Sequence, residues 1–555
     1  MNPQENEDDD AMEAQTLQVI ESLIHSISHT QSFKGKWSLM ETKLSDLKTQ
    51  LSDVSDFPPN SISADLRHAL FRTLSDALSL SLTCHSPNLP AGKLKTQNDV
   101  DSISAKLDNH IRDWEVITRS GVLHDDVVPS PVSRESVRVE SRNLITRLQI
   151  GSGESRNSAL DSLLRLIGED DKNVIIAVAQ GVVPVLVRLL DSGSSPEIIE
   201  KTVTAIARVS TINSSTKVLM AEGLLLLHYL IRVLDSGTGI AIEKACITLQ
   251  ALTLSKENAT AIGSRGGISS LLEISQSGTP SSQAAAAAVL RNLAIFSDTR
   301  DNFMEEHAIS VLLTLASSGT AMAQEYSISC LSNLVKEDDD MKLLIARKGG
   351  IGSLKNFWDS AIVGRSLEVA VEFLSNLASD QRLVEFIILN DFLNRLIIVL
   401  NCGVLGVRIH AAEAIFKIGY NTKTRKELGE NGFIPPLIRM LDGKAIEEIE
   451  ASSKALSTIL IHPENRRIYR KEQKGIMSAV RLLDSSITNL DKKYAVSILM
   501  SLTHSMKCRK EMVKSGVLLH LQKLVEMDVE GAKKLQEVIN GRKLWGVFKR
   551  SPRTP

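Results

Sequence analysis

A short phrase returns along this 555-residue chain at intervals of 41 to 44 residues. It joins a glycine, or a residue standing in for one, to the apolar start of a helix: Gly181-Val182, Gly223-Leu224, Gly267-Ile268, Ala308-Ile309, Gly350-Ile351, Asp391-Phe392, Gly432-Phe433, Gly475-Ile476 and Gly516-Val517. Self-similarity at this period means that one supersecondary unit is repeated and that no unit covers its apolar face alone. The expected fold class is therefore all-α, a solenoid that grows in one dimension. This lets the chain exceed the size at which a single globular core stops growing.

The punctuation inside one period predicts three helices. From Lys256 to Phe296 the chain offers a short helix (KENATAIGSR), a break at Gly266-Gly267, an amphipathic helix (ISSLLEISQSG), and a long helix (SSQAAAAAVLRNLAIF) opened by Thr279-Pro280. Ser195-Pro196 repeats that opening, a capping hydroxyl followed by proline where the missing N–H has no intrahelical duty. In the long helix Ala286, Val289, Leu290 and Leu293 share one face, and Cys330, Leu331 and Leu334 match them in the next unit. With 43% apolar but only 4% aromatic residues, such faces must pack through aliphatic side chains.

These phrases resemble the armadillo repeat family. AVLRNLA, SCLSNLV and EFLSNLA follow its A-x-x-x-L-x-N-L pattern, and GVVPVLVRLL and GFIPPLIRML its second-helix pattern. The resemblance implies an armadillo-type right-handed superhelix of about nine units over residues 138–540. It also implies that the third helices line a concave face where one Asn per unit holds the main chain of an extended peptide. At that position stand Asn292, Asn333 and Asn376, with Arg208, Ala251, Lys417, Thr458 and Ser501 in register. The alternative is that each Asn only braces its own repeat. Importin-α, another armadillo protein, adds a Trp four residues before each Asn to pack lysine stems; here those positions hold Ala288, Ser329 and Glu372, which argues against a carrier of that kind.

Residues 1–137 read differently. An acidic start, expected to be disordered over residues 1–11, precedes a helical bundle at 12–124, with amphipathic helices predicted at Met12 to Ser28, Trp37 to Val54, Ser63 to Leu82 and Asp99 to Ser120. The stretch GKLKTQNDVDSISAKLDNHIRDWEVITRSGVL resembles the N-terminal domain of plant U-box armadillo proteins. In those proteins a U-box of about seventy residues separates the bundle from the repeats, whereas the linker here, residues 125–137 (DDVVPSPVSRESV), has thirteen residues and no Cys. The resemblance is thus to armadillo proteins without that module, such as those of vacuolar membranes, whose myristoyl anchor requires the Gly that Asn2 replaces here.

Motifs for catalysis are missing: the sequence has no G-x-S-x-G, H-E-x-x-H or P-loop, and Gly151-Ser152-Gly153 and Gly237-Thr238-Gly239 read as inter-helix turns. We expect no enzyme activity, no cofactor and no metal, since His25 and His29 share a helical face without ligand partners at metal spacing. The five cysteines never form C-x-x-C, Cys246 and Cys330 lie on apolar faces, and no signal or membrane-spanning stretch is evident; a cytoplasmic or nuclear location is expected.

Charge is uneven. Residues 401–555 contain 28 Lys+Arg against 16 Asp+Glu, which points to solvated faces or to an acidic partner or anionic lipid at this end. Nucleic acid is not expected, because stacking aromatics are not interleaved with these cations. The tail at 541–555 (GRKLWGVFKRSPRTP) is basic and aromatic, a cap for the last repeat or a docking segment; Ser130 and Ser551, each before proline, are candidate phosphorylation sites. The function expected is a non-enzymatic scaffold or adaptor in signalling or regulation that binds extended segments of other proteins. The alternative is a substrate-recognition adaptor in a ubiquitin pathway acting with a separate ligase.

Overall fold

The computed structural model describes residues 3–541 apart from 55–60, 87–88, 91, 121–133, 192, 362–363 and 473. Among the described residues there is no strand. The chain divides into two compact units, Met1–Leu252 and Thr253–Pro555.

The first unit opens with four helices, Pro3–Ser28, Lys34–Val54, Ser61–Thr83 and Lys93–Ser120. The first begins nine residues before the expected start at Met12, inside the stretch read as disordered, and the fourth begins at Lys93, not Asp99. Apolar residues at three- and four-residue spacing close one core: Ile20, Leu23 and Ile27; Trp37, Met40, Leu44 and Leu47; Leu66, Leu70 and Leu74; Val100, Ile103 and Leu107. Burying each Leu or Ile contributes roughly 1.5–3 kcal/mol before the cost of ordering the chain. The fourth helix packs on Arg134–Ile150, and Ile150 reaches the bundle core, so the bundle and the first repeats lie in one compact unit. That helix starts at Arg134, four residues inside the expected linker. Two helical triplets follow, Asp171–Ala179, Val182–Leu189 and Pro196–Ser210, then Asn213–Ala221, Gly223–Ser236 and Gly239–Leu252.

Among the described residues the second unit contains seven triplets. Their third helices are Pro280–Leu293, Ala321–Leu334, Arg365–Leu377, Leu405–Ile418, Ile446–Ile459, Lys492–Leu502 and Ala532–Asn540, each packed on the next. As expected, Ser195 and Thr279 cap their helices by accepting from Ile198 N–H and Ser282 N–H, with proline in the first turn. Ala286, Leu290 and Leu293 are fully buried, as are Cys330, Leu331 and Leu334.

The recurring glycine performs two tasks that its position in the phrase does not separate. Where the phrase reads Gly-Gly, the first residue makes the left-handed turn, Gly266 at φ 77° and Gly349 at φ 94°, and the second begins the helix. Gly267 is needed for packing: a Cβ there would lie 2.6 Å from Ile262 Cγ2. His307 and Asp391 adopt the same left-handed turn in their units at φ 52° and 67°, a conformation open to non-glycine residues at modest cost. Gly475 makes no such turn; a Cβ would press on the Tyr469 ring at 3.0 Å, and the Tyr469 hydroxyl donates to the Gly475 carbonyl at 2.7 Å.

Candidate functional site

The register position on the third helices turns toward the neighbouring repeat. Asn333 Nδ2 donates to the Arg291 carbonyl at 3.0 Å, Asn376 Nδ2 to Ser332 at 3.0 Å (Oγ) and 3.4 Å (carbonyl), and Lys417 Nζ to Ser375 at 2.9 Å (Oγ) and 3.0 Å (carbonyl). Each acceptor is the residue just before the register position of the preceding repeat. Arg208 in the first unit also donates to the preceding helix end, giving Nε to the Ile167 carbonyl at 3.0 Å and a guanidinium nitrogen to Asp171 at 2.6 Å. Asn292 is 3% exposed, donates to Thr253 Oγ1 at 3.2 Å and accepts from Arg291 at 2.9 Å.

The cause is the end of an α-helix. Its last four carbonyls have no intrahelical donor, and here the next repeat supplies one. Asn292, Asn333, Asn376, Arg208 and Lys417, the residues expected to grip a partner, therefore spend donors on the stack itself. Lys417 is held below the ordinary lysine range by burial, which the surrounding carboxylates only partly offset. Neither Thr458 nor Ser501 extends the series: Ser501 donates within its own helix, to the Ile498 carbonyl.

What faces outward is the row four residues earlier and the row seven or eight earlier. In the second unit these place half-exposed Tyr326, Ser329, Glu368, Glu372, His410, Glu413, Glu450, Lys454 and Tyr494 on consecutive third helices. Glu372 pairs with Lys336 at 2.9 Å and Glu450 with Lys454 at 2.7 Å. Arg291 lies over the Tyr326 ring at 4.9 Å, and Lys454 and Lys493 over Tyr494 at 5.4 and 5.0 Å. His410 meets Glu413 at 3.1 Å. Burial pulls the His410 pKa down, but the bond to Glu413 and the charges of Glu413, Glu372 and Glu368 outweigh it, so the imidazole titrates above its ordinary value.

A second set of braces carries no motif that the sequence reading used. Arg425, Arg466 and Arg509, each the fourth residue of a first helix, reach back to carbonyls at the end of the third helix just before it: Gly419 at 2.8 Å, Ile461 at 3.4 Å and Thr503 at 2.7 Å. Asn465, 1% exposed, donates to the carbonyls of Arg425 at 2.6 Å and Ile459 at 2.9 Å. Its signal was Gly429 in the preceding first helix, where a Cβ would run into the Asn465 carboxamide.

Cys246 and Cys330 are buried thiols, and burial pushes Cys246 up to about 12. His25 and His29 are exposed, and among the described residues no three His, Cys, Asp or Glu side chains gather as metal ligands. Among those residues, too, no single helix is long and apolar enough to cross a membrane. Ser130, Ser551 and the Trp545 tail lie outside the described residues.

The family described as "Domain of unknown function (DUF7032)" matches residues 14–122, the stretch of the four-helix bundle. No curated protein matches the chain. Among solved structures, an engineered protein aligns over 74% of this chain and 100% of its own, with 21% identity and a TM-score of 0.63. A designed armadillo repeat protein aligns over 42% of this chain and 98% of its own, with 20% identity and a TM-score of 0.39. The first of these likenesses is one of fold alone, and the triplets described above define the architecture. The fold is an armadillo-like helical-repeat solenoid.

Proposed function

We propose that this protein is a non-enzymatic interaction scaffold that holds extended segments of partner proteins against the outward rows of its third helices. The observation that carries this reading is the band from Tyr326 to Tyr494 in the second unit. A half-exposed carboxylate, cation or aromatic ring stands there in each repeat, over helices whose inner faces are filled largely with Leu, Ile, Val and Ala. Stacked helices present such groups at a repeating spacing, and an extended chain meets them in succession. Aromatic and arginine side chains, as in the Arg291–Tyr326 pair, are the types that dominate binding energy at protein interfaces.

The register residues support this face from behind by fixing the distance between repeats, and a partner reaches them only through groups they leave over. The carboxylates Glu368, Glu372 and Glu413 around His410 favour segments carrying a basic side chain at this point. Selecting peptides from a displayed library on the full chain, then measuring affinity for Glu372→Lys with Glu413→Lys, tests the proposal. Affinity should fall by about tenfold or more for peptides with a basic residue. Selected peptides whose affinity ignores these changes, and also ignores Tyr326→Ala, would rule out this face.

A further inference from the structure

The C-terminal repeats contain a cationic cleft that the interaction face does not use. It lies between the first helix Pro463–Tyr469 and the start of the first helix Met506–Lys514, encloses about 310 Å³, and is lined by Arg466, Arg467 and Arg470 on one side and by Ser501, His504 and Ser505 on the other. No carboxylate lines it.

Three arginines whose charge no carboxylate neutralises converge on this one cleft. Elsewhere in the second unit Arg382, Arg395, Arg408 and Arg481 each lie within 2.8 Å of a carboxylate oxygen, of Asp380, Asp359, Glu448 and Asp442 respectively. Arg466 instead makes two long contacts, 3.4 Å, to the carbonyls of Ser501 and Ile461, so it spans from the turn before its own helix to the end of the third helix Lys492–Leu502 across the cleft. Arg470 gives only Nε, to the Arg466 carbonyl at 3.1 Å. Arg467 is exposed, and neither it nor the other two is within ion-pair distance of a carboxylate among the described residues. Residues 463–514 hold 12 Lys+Arg against 5 Asp+Glu, so the surroundings reinforce the same sign.

We infer that this cleft binds the phosphate groups of a compact oligophosphate, free in solution or carried as a lipid headgroup. Guanidinium forks match phosphate oxygens two at a time, and three of them converging on one small volume suit a ligand with several phosphates better than a single carboxylate. Arg466 presets part of the site because its position is held by backbone carbonyls, while Arg467 and Arg470 supply the free donors. The inference stands apart from the third-helix face, and each can fail without the other.

The test uses the full chain and myo-inositol hexakisphosphate followed by titration calorimetry, with flotation on phosphatidylcholine vesicles containing phosphatidylinositol bisphosphate as the second arm. Saturable binding is expected, at least about tenfold weaker for Arg467→Glu with Arg470→Glu, whose side chains are exposed. Lys533→Glu with Lys534→Glu makes the same change in net charge on an exposed helix outside the cleft, and should stay within about twofold. Vesicle binding that the soluble phosphate displaces identifies the lipid source; soluble binding without vesicle binding identifies the free one. Lack of saturable binding in both arms, or equal weakening by the two double variants, overturns the inference.

Discussion

Replacing Asn333 by Ala separates bracing from gripping. The amide donates to the Arg291 carbonyl at the end of the preceding third helix, and Arg291 in turn gives its guanidinium to Asn292 Oδ1, at 2.9 Å from its nearer nitrogen. Removing the donor leaves a half-buried carbonyl without that partner, which costs about 1–2 kcal/mol. In a solenoid, stability is close to a sum of repeat and nearest-neighbour terms, so the loss should be felt at one interface. It corresponds to about 5- to 30-fold faster amide exchange by local opening in Pro280–Leu293 and Ala321–Leu334, with Ile446–Ile459 unchanged. Hydrogen-exchange mass spectrometry reads these helices separately, which a melting curve of so long a chain does not. Asn333→Asp should be worse than Asn333→Ala, because a carboxylate would face the Arg291 carbonyl. The triple change at Asn292, Asn333 and Asn376 should cost roughly 3–6 kcal/mol, less or more than additive because Arg291 links two of the sites. Exchange within about 0.5 kcal/mol of wild type, together with a tenfold loss of peptide affinity, would refute bracing and restore these residues as the main-chain grip.

Three further outcomes are expected. Glu448→Ala should destabilise the chain by about 3–5 kcal/mol, read by urea denaturation, because it strands Arg408, which pairs with the buried carboxylate at 2.8 Å. Gly429→Ala should cost several kcal/mol while Asn465→Ala on the same background recovers part of it, since the new methyl group collides with the Asn465 carboxamide; no recovery would place the strain elsewhere. His410→Gln should lower the melting temperature near about pH 5.5 more than near pH 8. The folded His410 pKa is raised, so its contribution is complete below the unfolded value and fades as pH climbs through the folded one; Glu413 is held low, chiefly by the bond to His410, and keeps its part until the pH falls well into the acid range. A larger deficit on the alkaline side would contradict the pairing.

The repeat architecture was legible because stacking dictates it: a face of Ala286, Leu290 and Leu293 needs an equivalent neighbour, and the period follows. The double task of Gly266-Gly267 was not legible, since turning and close packing both ask for the same residue and only the approach of Ile262 tells them apart. Helix ends in the bundle were misjudged where polar residues continue a helix that the apolar pattern had not begun, as between Lys93 and Asp99.

The register position teaches more. It was found from the sequence, with gripping and bracing both left open, because the choice between them depends on how near a side chain comes to the previous helix end. Yet the signal was present in the residues sharing the register. Asn offers a donor and an acceptor, as a grip on a peptide main chain requires, but Arg208 and Lys417 offer donors only. The property common to all five is donation, and the groups that most need a donor in a stack of helices are the orphaned carbonyls at each helix end. Where the register is filled by Arg, Asn or Lys it therefore serves the repeat before it, and under the function we propose, partner specificity rests on the rows those braces do not occupy, at Tyr326, Glu372, Glu413 and their neighbours.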